Sequence, residues 1–394
     1  MLEPATDTLL PAFFRRLRFL ISARTQIGEI HRPNGTQSQD GNSITPASQS
    51  SGRTAFAWSS QGTHTTGYVE ASVWAICFVA TTFAAFLTQR SAIIVDLGSL
   101  LVALTILGFL LTVHVVYRRW RPSPVLSNLC GALLAMLLSG AVAGIISLVG
   151  LRNNAPFIDA DLARWDRAAG FDLPAVIAWA ADNPAWSQLL SVTYDSSFPL
   201  LFGLSVLLAI VRRFEHLWIL TFVFATTIVA CASISVIWPA KGAFAFFGYP
   251  ASLLEHLPTG AGTYHLSKLE YFRNEASPLL SFANLQGVVT FPSFHCCLAL
   301  MIISASRHLR WLFPISLIWN SLVIASTVPI GGHYAIDLPC GAVVWLVATG
   351  TAIALMSLSS RRAQGSSGLR ADASHDRLTH GMCQIMTRAQ VSES

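Results

Sequence analysis

The sequence predicts an all-α, polytopic membrane protein with about eight transmembrane helices. Of its 394 residues, 53% are hydrophobic and only 11% are charged, whereas soluble domains carry about 25% charged residues. The mean hydropathy is +0.54, and the apolar residues are gathered in runs long enough to cross a bilayer, which takes about 20 residues each. Basic residues stand at the ends of these runs, so the net charge of +5 does not indicate nucleic-acid binding.

The polar N-terminal segment, residues 1–66, is rich in Ser, Thr, Gln and Gly. Such a composition cannot bury enough apolar surface to fold, so we expect a disordered tail. Eight apolar runs follow, and each predicts one transmembrane helix. These runs cover about residues 69–88, 93–117, 126–150, 187–211, 217–238, 288–306, 311–329 and 338–358.

Arginine clusters follow every second predicted helix. An alternating path through the membrane puts all of these clusters on one side, and the positive-inside rule makes that side cytoplasmic. Both termini are then cytoplasmic, and the loops 152–186, 239–287 and 330–337 face the opposite side. The clusters are Arg118, Arg119 and Arg121; Arg212 and Arg213; Arg307 and Arg310; and Arg361 and Arg362.

Two of the loops on that opposite side are long. In the first, residues 152–186, the spacing of Asp and Trp predicts an amphipathic helix at the membrane interface. The second, residues 239–287, is longer than ordinary connections, and loops of such length are usually functional or disordered. It contains Lys241 and Arg273 and leads directly to Pro292.

Pro292 and Ser293 stand immediately before the sixth apolar run, and together they predict the start of a helix. The free N–H groups and the positive dipole end of a helix N-terminus favour an anion such as phosphate. His295 would lie in this first turn, where it can donate a proton to a leaving oxygen. The seventh apolar run returns the chain to the same side of the membrane, so we expect His295 and His333 to lie close together.

His333 follows Gly331 and Gly332, which allow the backbone to bend closely around a ligand. Asp337 comes four residues later, a spacing at which its carboxylate can bond one ring nitrogen of His333 and orient the other. A histidine held in this way is a plausible nucleophile towards phosphorus. Positive charge for the phosphoryl oxygens would come from Arg273 or Lys241.

Taken singly, each of these features has an ordinary explanation. A histidine at a helix end is most often a surface or core residue, and an Asp after an apolar run is usually a solvated cap. Two histidines and an Asp can also bind a metal ion, but the sequence offers no convincing fourth ligand. We therefore expect neither a metal nor a cofactor.

The two stretches resemble the second and third motifs of the type-2 phosphatidic acid phosphatase superfamily, Pro-Ser-Gly-His and Ser-Arg-x5-His-x3-Asp. Here the second motif appears as Pro292-Ser293-Phe294-His295, and the third runs from Ser326 and Thr327 to His333 and Asp337. Their form is similar to the branch related to inositol phosphorylceramide synthases. So are three further segments and one residue: 166–171, Tyr194, 238–242 and 285–289.

The resemblance implies a six-helix membrane core, which makes residues 126–360 the catalytic core. It leaves residues 67–125 as two accessory transmembrane helices and residues 361–394 as a cytoplasmic tail. It also implies that His333 forms a phosphohistidine, that Asp337 orients His333 and that His295 protonates the leaving group. Ser293 would bind phosphate.

Two departures from the resembled family concern phosphate binding. Thr327 stands where many relatives have an arginine, and the first family motif, Lys-x6-Arg-Pro, is absent. We take Arg273 as the candidate replacement, with Lys241 as a second cation.

The expected function is that of a lipid-phosphate phosphatase or phosphotransferase, with a lipid phosphate as substrate and membrane lipids as surroundings. We expect it in a bacterial inner membrane or another cell membrane, with its site facing away from the cytoplasm. The alternatives are a transporter and a non-catalytic scaffold. Transporters usually place ionisable residues at mid-membrane, and the apolar runs here are almost free of them. The lipid, the acceptor and the oligomeric state remain open.

Overall fold

The structure is a computed structural model that describes residues 66–359. Apart from Thr66, the two predicted tails lie outside the described residues. The described part is mostly helical, as predicted, and two two-residue strands form its single small sheet. Its helices are α1 (Gly67–Arg90), α2 (Leu97–Arg119), α3 (Pro124–Gly150), α4 (Asp159–Ala168), α5 (Leu173–Asp182), α6 (Pro184–Asp195), α7 (Ser197–Ile210), α8 (Phe214–Ile237), α9 (Ala243–Phe247), α10 (Ala251–Leu254), α11 (Leu266–Asn274), α12 (Phe294–Ser306), α13 (Phe313–Ser326) and α14 (Asp337–Ser359).

Within residues 66–359, five helices are long and apolar enough to cross a membrane: α1, α2, α3, α8 and α14. Helices α3 and α8 form the centre of the bundle, because 67% and 56% of their most apolar stretches are buried. They pack against each other, and α1 packs against both. Only 6% of the corresponding stretch of α2 is buried, so this helix lies at the periphery, where it contacts α3.

The fourth predicted span is a pair of helices, α6 and α7, bent by 45° at Ser196. Pro199 accounts for the bend, because a proline in the first turn of α7 has no N–H to donate to the preceding turn. The Ser196 hydroxyl donates to the carbonyl of Thr193 and accepts a hydrogen bond from the indole of Trp319. If the pair is counted as one span, the structure has up to six candidate membrane helices.

Two of the eight predicted spans are shorter than the sequence indicated. Helices α12 and α13 have 13 and 14 residues, or roughly 20 Å at 1.5 Å per residue, against a hydrocarbon core of about 30 Å. The prediction of a span at 288–306 is wrong at its beginning, because Ser293 caps the helix and residues 288–292 are not helical. Those residues instead carry the chain into the candidate site.

The remaining helices all lie in the two long loops, 152–186 and 239–287, and make up the loop layer of the structure. The predicted amphipathic region consists of two helices, α4 and α5, and the 239–287 loop contains three more, α9, α10 and α11. A hydrophobic cluster joins this layer, with Leu162, Ile177, Phe244 and Tyr334 among its buried members. Strand β1 (Ile94–Val95) pairs in parallel with β2 (Leu279–Leu280), so the layer is also tied to the connection between α1 and α2.

Candidate active site

The segment 331–337 turns sharply at Gly332 before it enters α14. Gly332 has φ +76°, and a Cβ on it would lie 2.9 Å from the backbone of Gly262. The Gly262 N–H also donates to the carbonyl of Ile330 at 2.7 Å. Only glycine fits this conformation and this close approach, so the contact fixes the backbone immediately before His333.

His333 is held by Asp337, as the four-residue spacing predicts. Nδ1 of His333 lies 3.1 Å from Oδ2 of Asp337, and the N–H of Tyr334 donates to the same oxygen at 2.9 Å. The side chain of Asp337 is fully buried, and His333 is 3% exposed. Because an ionised carboxylate can only accept, Nδ1 carries the hydrogen when Asp337 is ionised, and the Nε2 lone pair then faces away from Asp337.

Ser293 completes this arrangement from the start of α12. Its hydroxyl lies 3.4 Å from Nε2 of His333 and accepts a hydrogen bond from the N–H of Cys296. The N–H of Ser293 donates to the carbonyl of Asp337 at 3.1 Å. The helix cap and the histidine segment are therefore bonded to each other directly, and Nε2 points towards a helix N-terminus, where anions are favoured.

His295 lies in the first turn of α12, two residues after Ser293, and is positioned by aromatic contacts. Its ring stacks on Tyr194 with 4.0 Å between centroids and a 22° angle between planes, and Phe198 meets it edge-on. The hydroxyl of Tyr194 lies 3.0 Å from that of Tyr264. His295 and Tyr264 are also part of the wall of a partly open cavity of about 570 Å³.

Asp159 and Asp166, at the two ends of α4, hold the backbone of the site. Asp166 accepts from the N–H groups of Ala335 and Ile336, both at 2.8 Å. Asp159 accepts from Lys241 and Gly242, both at 2.9 Å, and from the hydroxyl of Tyr334 at 3.0 Å.

Both carboxylates are buried, and a buried charge is tolerated when hydrogen bonds satisfy it. Burial and, next, the charge of Asp159 raise the pKa of Tyr334 well above its usual range, which keeps this phenol a donor to Asp159. The sequence indicated an aspartate-rich interfacial helix here and missed that these two side chains point inward. The i, i+7 spacing of Asp159 and Asp166 places them on one face of α4, and this was the available signal.

The two predicted cations, Arg273 and Lys241, lie together around Phe157. The guanidinium of Arg273 lies 3.9 Å from the ring centroid, and Nζ of Lys241 lies 5.1 Å from it. Nη2 of Arg273 donates to the carbonyl of Ala155, whereas its buried Nη1 has no hydrogen-bond partner within residues 66–359. The structure therefore places the two cations beside each other, and within residues 66–359 neither side chain hydrogen-bonds to His333.

Thr327 is buried, and its hydroxyl donates to the carbonyl of Ile324 at 2.6 Å. It therefore does not stand in for the arginine of the resembled family as a donor to a ligand.

His265 is a further buried histidine of this layer that the sequence reasoning did not select. Its Nε2 donates to the carbonyl of Lys241 at 2.8 Å. Burial lowers the pKa of His265, and a positive charge on His333 lowers it further. His265 thus holds the carbonyl of Lys241, while Asp159 holds the N–H groups of Lys241 and Gly242.

Comparison with known proteins identifies one similarity. The family model of the PAP2 superfamily matches residues 160–351, a region that contains Ser293, His295, His333 and Asp337 and leaves out helices α1 to α3. A search of curated proteins and a search of solved structures each found no match.

Proposed function

From the PAP2 superfamily match over residues 160–351, we propose that the protein is a membrane lipid-phosphate phosphatase or phosphotransferase that acts through a phosphohistidine at His333. Activity of this general kind is what the superfamily suggests. The observation that carries the proposal is the buried row Asp337–His333–Ser293, in which a carboxylate orients Nδ1 and Nε2 faces a helix N-terminus.

In the first half of the reaction, Nε2 of His333 attacks phosphorus and the bond between phosphorus and the ester oxygen breaks. The departing oxygen takes a proton from His295 in its protonated form. Asp337 stabilises the positive charge that develops on the ring of His333. The Ser293 hydroxyl and the N–H groups of the first turn of α12 bind the phosphoryl oxygens.

In the second half, neutral His295 accepts a proton from water or from an acceptor alcohol, whose oxygen attacks the phosphohistidine. The bond between Nε2 and phosphorus breaks, and His333 is regenerated. Water as acceptor makes the protein a phosphatase, and an alcohol headgroup makes it a phosphotransferase. The resemblance to the inositol phosphorylceramide synthase branch supports an inositol-type alcohol as the acceptor to be tested.

We further propose that Arg273 and Lys241 attract and bind the anionic headgroup, because Nη1 of Arg273 is buried without a partner and a buried donor gains from a charged acceptor. The arginine clusters support a site that faces away from the cytoplasm.

The test is an assay of the purified protein on a panel of lipid phosphates, with and without inositol-type alcohols and in the presence of a chelator. We expect release of inorganic phosphate or transfer to the alcohol, unaffected by the chelator and absent in His333→Ala. Activity that is abolished by the chelator and restored by one metal ion, or that persists in His333→Ala, would contradict the proposal.

A further inference from the structure

A partly open cavity of about 570 Å³ lies between α2, α3, α7 and α8. Its volume is within the range of roughly 300–1,000 Å³ that ligand pockets occupy. Its polar lining is confined to Tyr264, Gln286 and His295, and the rest of the wall is apolar. Helix α2, which lies outside the matched region, supplies Ala103, Ile106 and Leu107 to the wall.

We propose that this cavity holds the hydrocarbon chain of the substrate and that the accessory hairpin α1–α2 limits the chain length that fits. The proposal rests on the proposed function, because it places the phosphoryl group of a phosphate ester on the His333 side of His295 and the organic group on the cavity side. It gives a role in substrate selection to helices that the family match does not cover.

His295 belongs both to the proposed reaction and to the cavity wall. In a phosphate ester, the oxygen that leaves phosphorus is the atom that carries the organic group. His295 protonates that oxygen in the proposed reaction, and the same ring forms part of the cavity wall. The phosphoryl group therefore lies on the side of Ser293 and His333, and the organic group continues into the cavity.

Small residues on α2 and α3 leave room in the cavity. A Cβ on Gly140 of α3 would have the side chain of Ile228 as its nearest neighbour, at 4.0 Å. Ala141 and Ala103 lie on the wall as well. Leucines at these three positions would fill the space without burying a polar group. The small residues therefore leave room for a saturated chain beside α3.

Helix α2 and the segment 282–287 form adjoining parts of the cavity wall. Leu279 and Leu280 pair with β1, which connects α1 to α2, and the Ser99 hydroxyl of α2 accepts from the N–H of Phe282 at 2.9 Å. Phe282, Gln286 and Gly287 all line the cavity. The hairpin therefore fixes the segment that closes the cavity next to His295.

The first experiment measures kcat/KM for alkyl phosphates from ethyl to octyl, each below its micelle concentration, so that the chains start in water. For a chain that enters an apolar cavity, kcat/KM rises by up to roughly fourfold per methylene. We expect Gly140→Phe and Ala103→Phe to lower the octyl-to-ethyl ratio by about tenfold or more. The matched controls are Gly203→Phe and Gly108→Phe, whose positions are exposed and have no neighbour within 4 Å. They should keep the wild-type ratio.

The second experiment does not depend on catalysis. An octyl phosphonate with a terminal diazirine is photolysed on the intact protein, with and without excess unlabelled octyl phosphonate, and the adducts are mapped. We expect competed adducts within residues 103–107 and 136–144 in the wild type and in both controls, and their loss in Gly140→Phe and Ala103→Phe.

Equal chain-length ratios in all five proteins, or adducts that are neither competed nor reduced by the cavity variants, would overturn the proposal and leave the cavity to bulk membrane lipid. If no phosphate ester is hydrolysed but the competed adducts appear, the cavity assignment holds and the proposed function fails. If phosphate esters are hydrolysed at rates that do not depend on chain length, the proposed function holds and the cavity assignment fails.

Discussion

At the residue scale, the two histidines of the candidate site make different contacts. Asp337 bonds the ring of His333 and leaves Nε2 facing the Ser293 hydroxyl, whereas the ring of His295 is stacked on Tyr194 and faces the cavity. The sequence predicted the bond between His333 and Asp337, because a four-residue spacing at a helix start leaves little choice of geometry. It did not predict the contact with Tyr194, because that contact joins residues about a hundred positions apart and depends on the bend at Ser196.

The role of His295 predicts a dependence on the leaving group. His295→Ala removes the proton donor, and general acid catalysis contributes about 10²–10⁴-fold. We expect this loss on alkyl phosphates and a much smaller loss on nitrophenyl phosphate, because a nitrophenolate leaves well as an anion. Steady-state kinetics on the two substrates measure the difference. Equal losses on both substrates would argue against His295 as the acid.

The proposed role of Arg273 predicts weaker anion binding in Arg273→Ala. Loss of a hydrogen bond to a charged group costs about 1.5–3 kcal/mol, so we expect the inhibition constant of vanadate to rise by roughly tenfold or more. Arg164→Ala is the control, because Arg164 is 66% exposed and pairs with Asp161, and it should leave vanadate inhibition unchanged. A lower melting temperature with unchanged vanadate inhibition would instead assign Arg273 to its contacts with Ala155 and Phe157 alone.

At the element scale, α4 holds the segment that contains His333 through hydrogen bonds to Asp159 and Asp166, which are together called the α4 clamp. Its two buried aspartates accept four backbone N–H groups and the Tyr334 hydroxyl. The sequence showed the aspartates and the helix but not their partners, which lie more than 80 residues away along the chain. The start of α12 was also predicted too early, because hydropathy alone does not distinguish an apolar extended segment from a helix.

This clamp predicts a loss of rate in Asp166→Asn. The amide retains one acceptor but turns an NH2 group towards one of the two backbone donors, so the segment 333–337 loosens and kcat falls. Because the nucleophile and not the acid is displaced, we expect a similar loss on nitrophenyl and alkyl phosphates, with a smaller change in KM. Asp161→Asn is the control on the same helix, where the side chain is 46% exposed. If Asp166→Asn lowers stability but kcat of the folded fraction is unchanged, the clamp has no role in positioning His333.

At the scale of the whole molecule, the described residues form a helical bundle with the candidate site at one end and basic turns at the other. The rings of His216 and His308 are 3.8 Å apart, so the turns that contain Arg213 and Arg307 lie together, as the alternating path requires. The fold class followed from composition and hydropathy alone. The division into tails, accessory helices and core stays a prediction, as does the orientation in the membrane.

The orientation predicts which side each segment faces. In a Cys383→Ser background, where the other native cysteines lie within helices, a cysteine at exposed Thr259 should react with a membrane-impermeant maleimide in intact cells. A cysteine at Gln364 should react only after permeabilisation. Labelling of Gln364→Cys but not Thr259→Cys in intact cells would reverse the assigned orientation.

The central claim is that His333 carries the phosphoryl group between the two halves of the reaction, and rapid-quench trapping with a radiolabelled phosphate ester tests it most directly. We predict an acid-labile, base-stable phosphoenzyme whose label maps to His333 and forms before product is released. It should be absent in His333→Ala with every substrate, and in His295→Ala it should form from nitrophenyl phosphate. A label on another residue, or turnover in His333→Ala without any phosphoenzyme, would contradict the account.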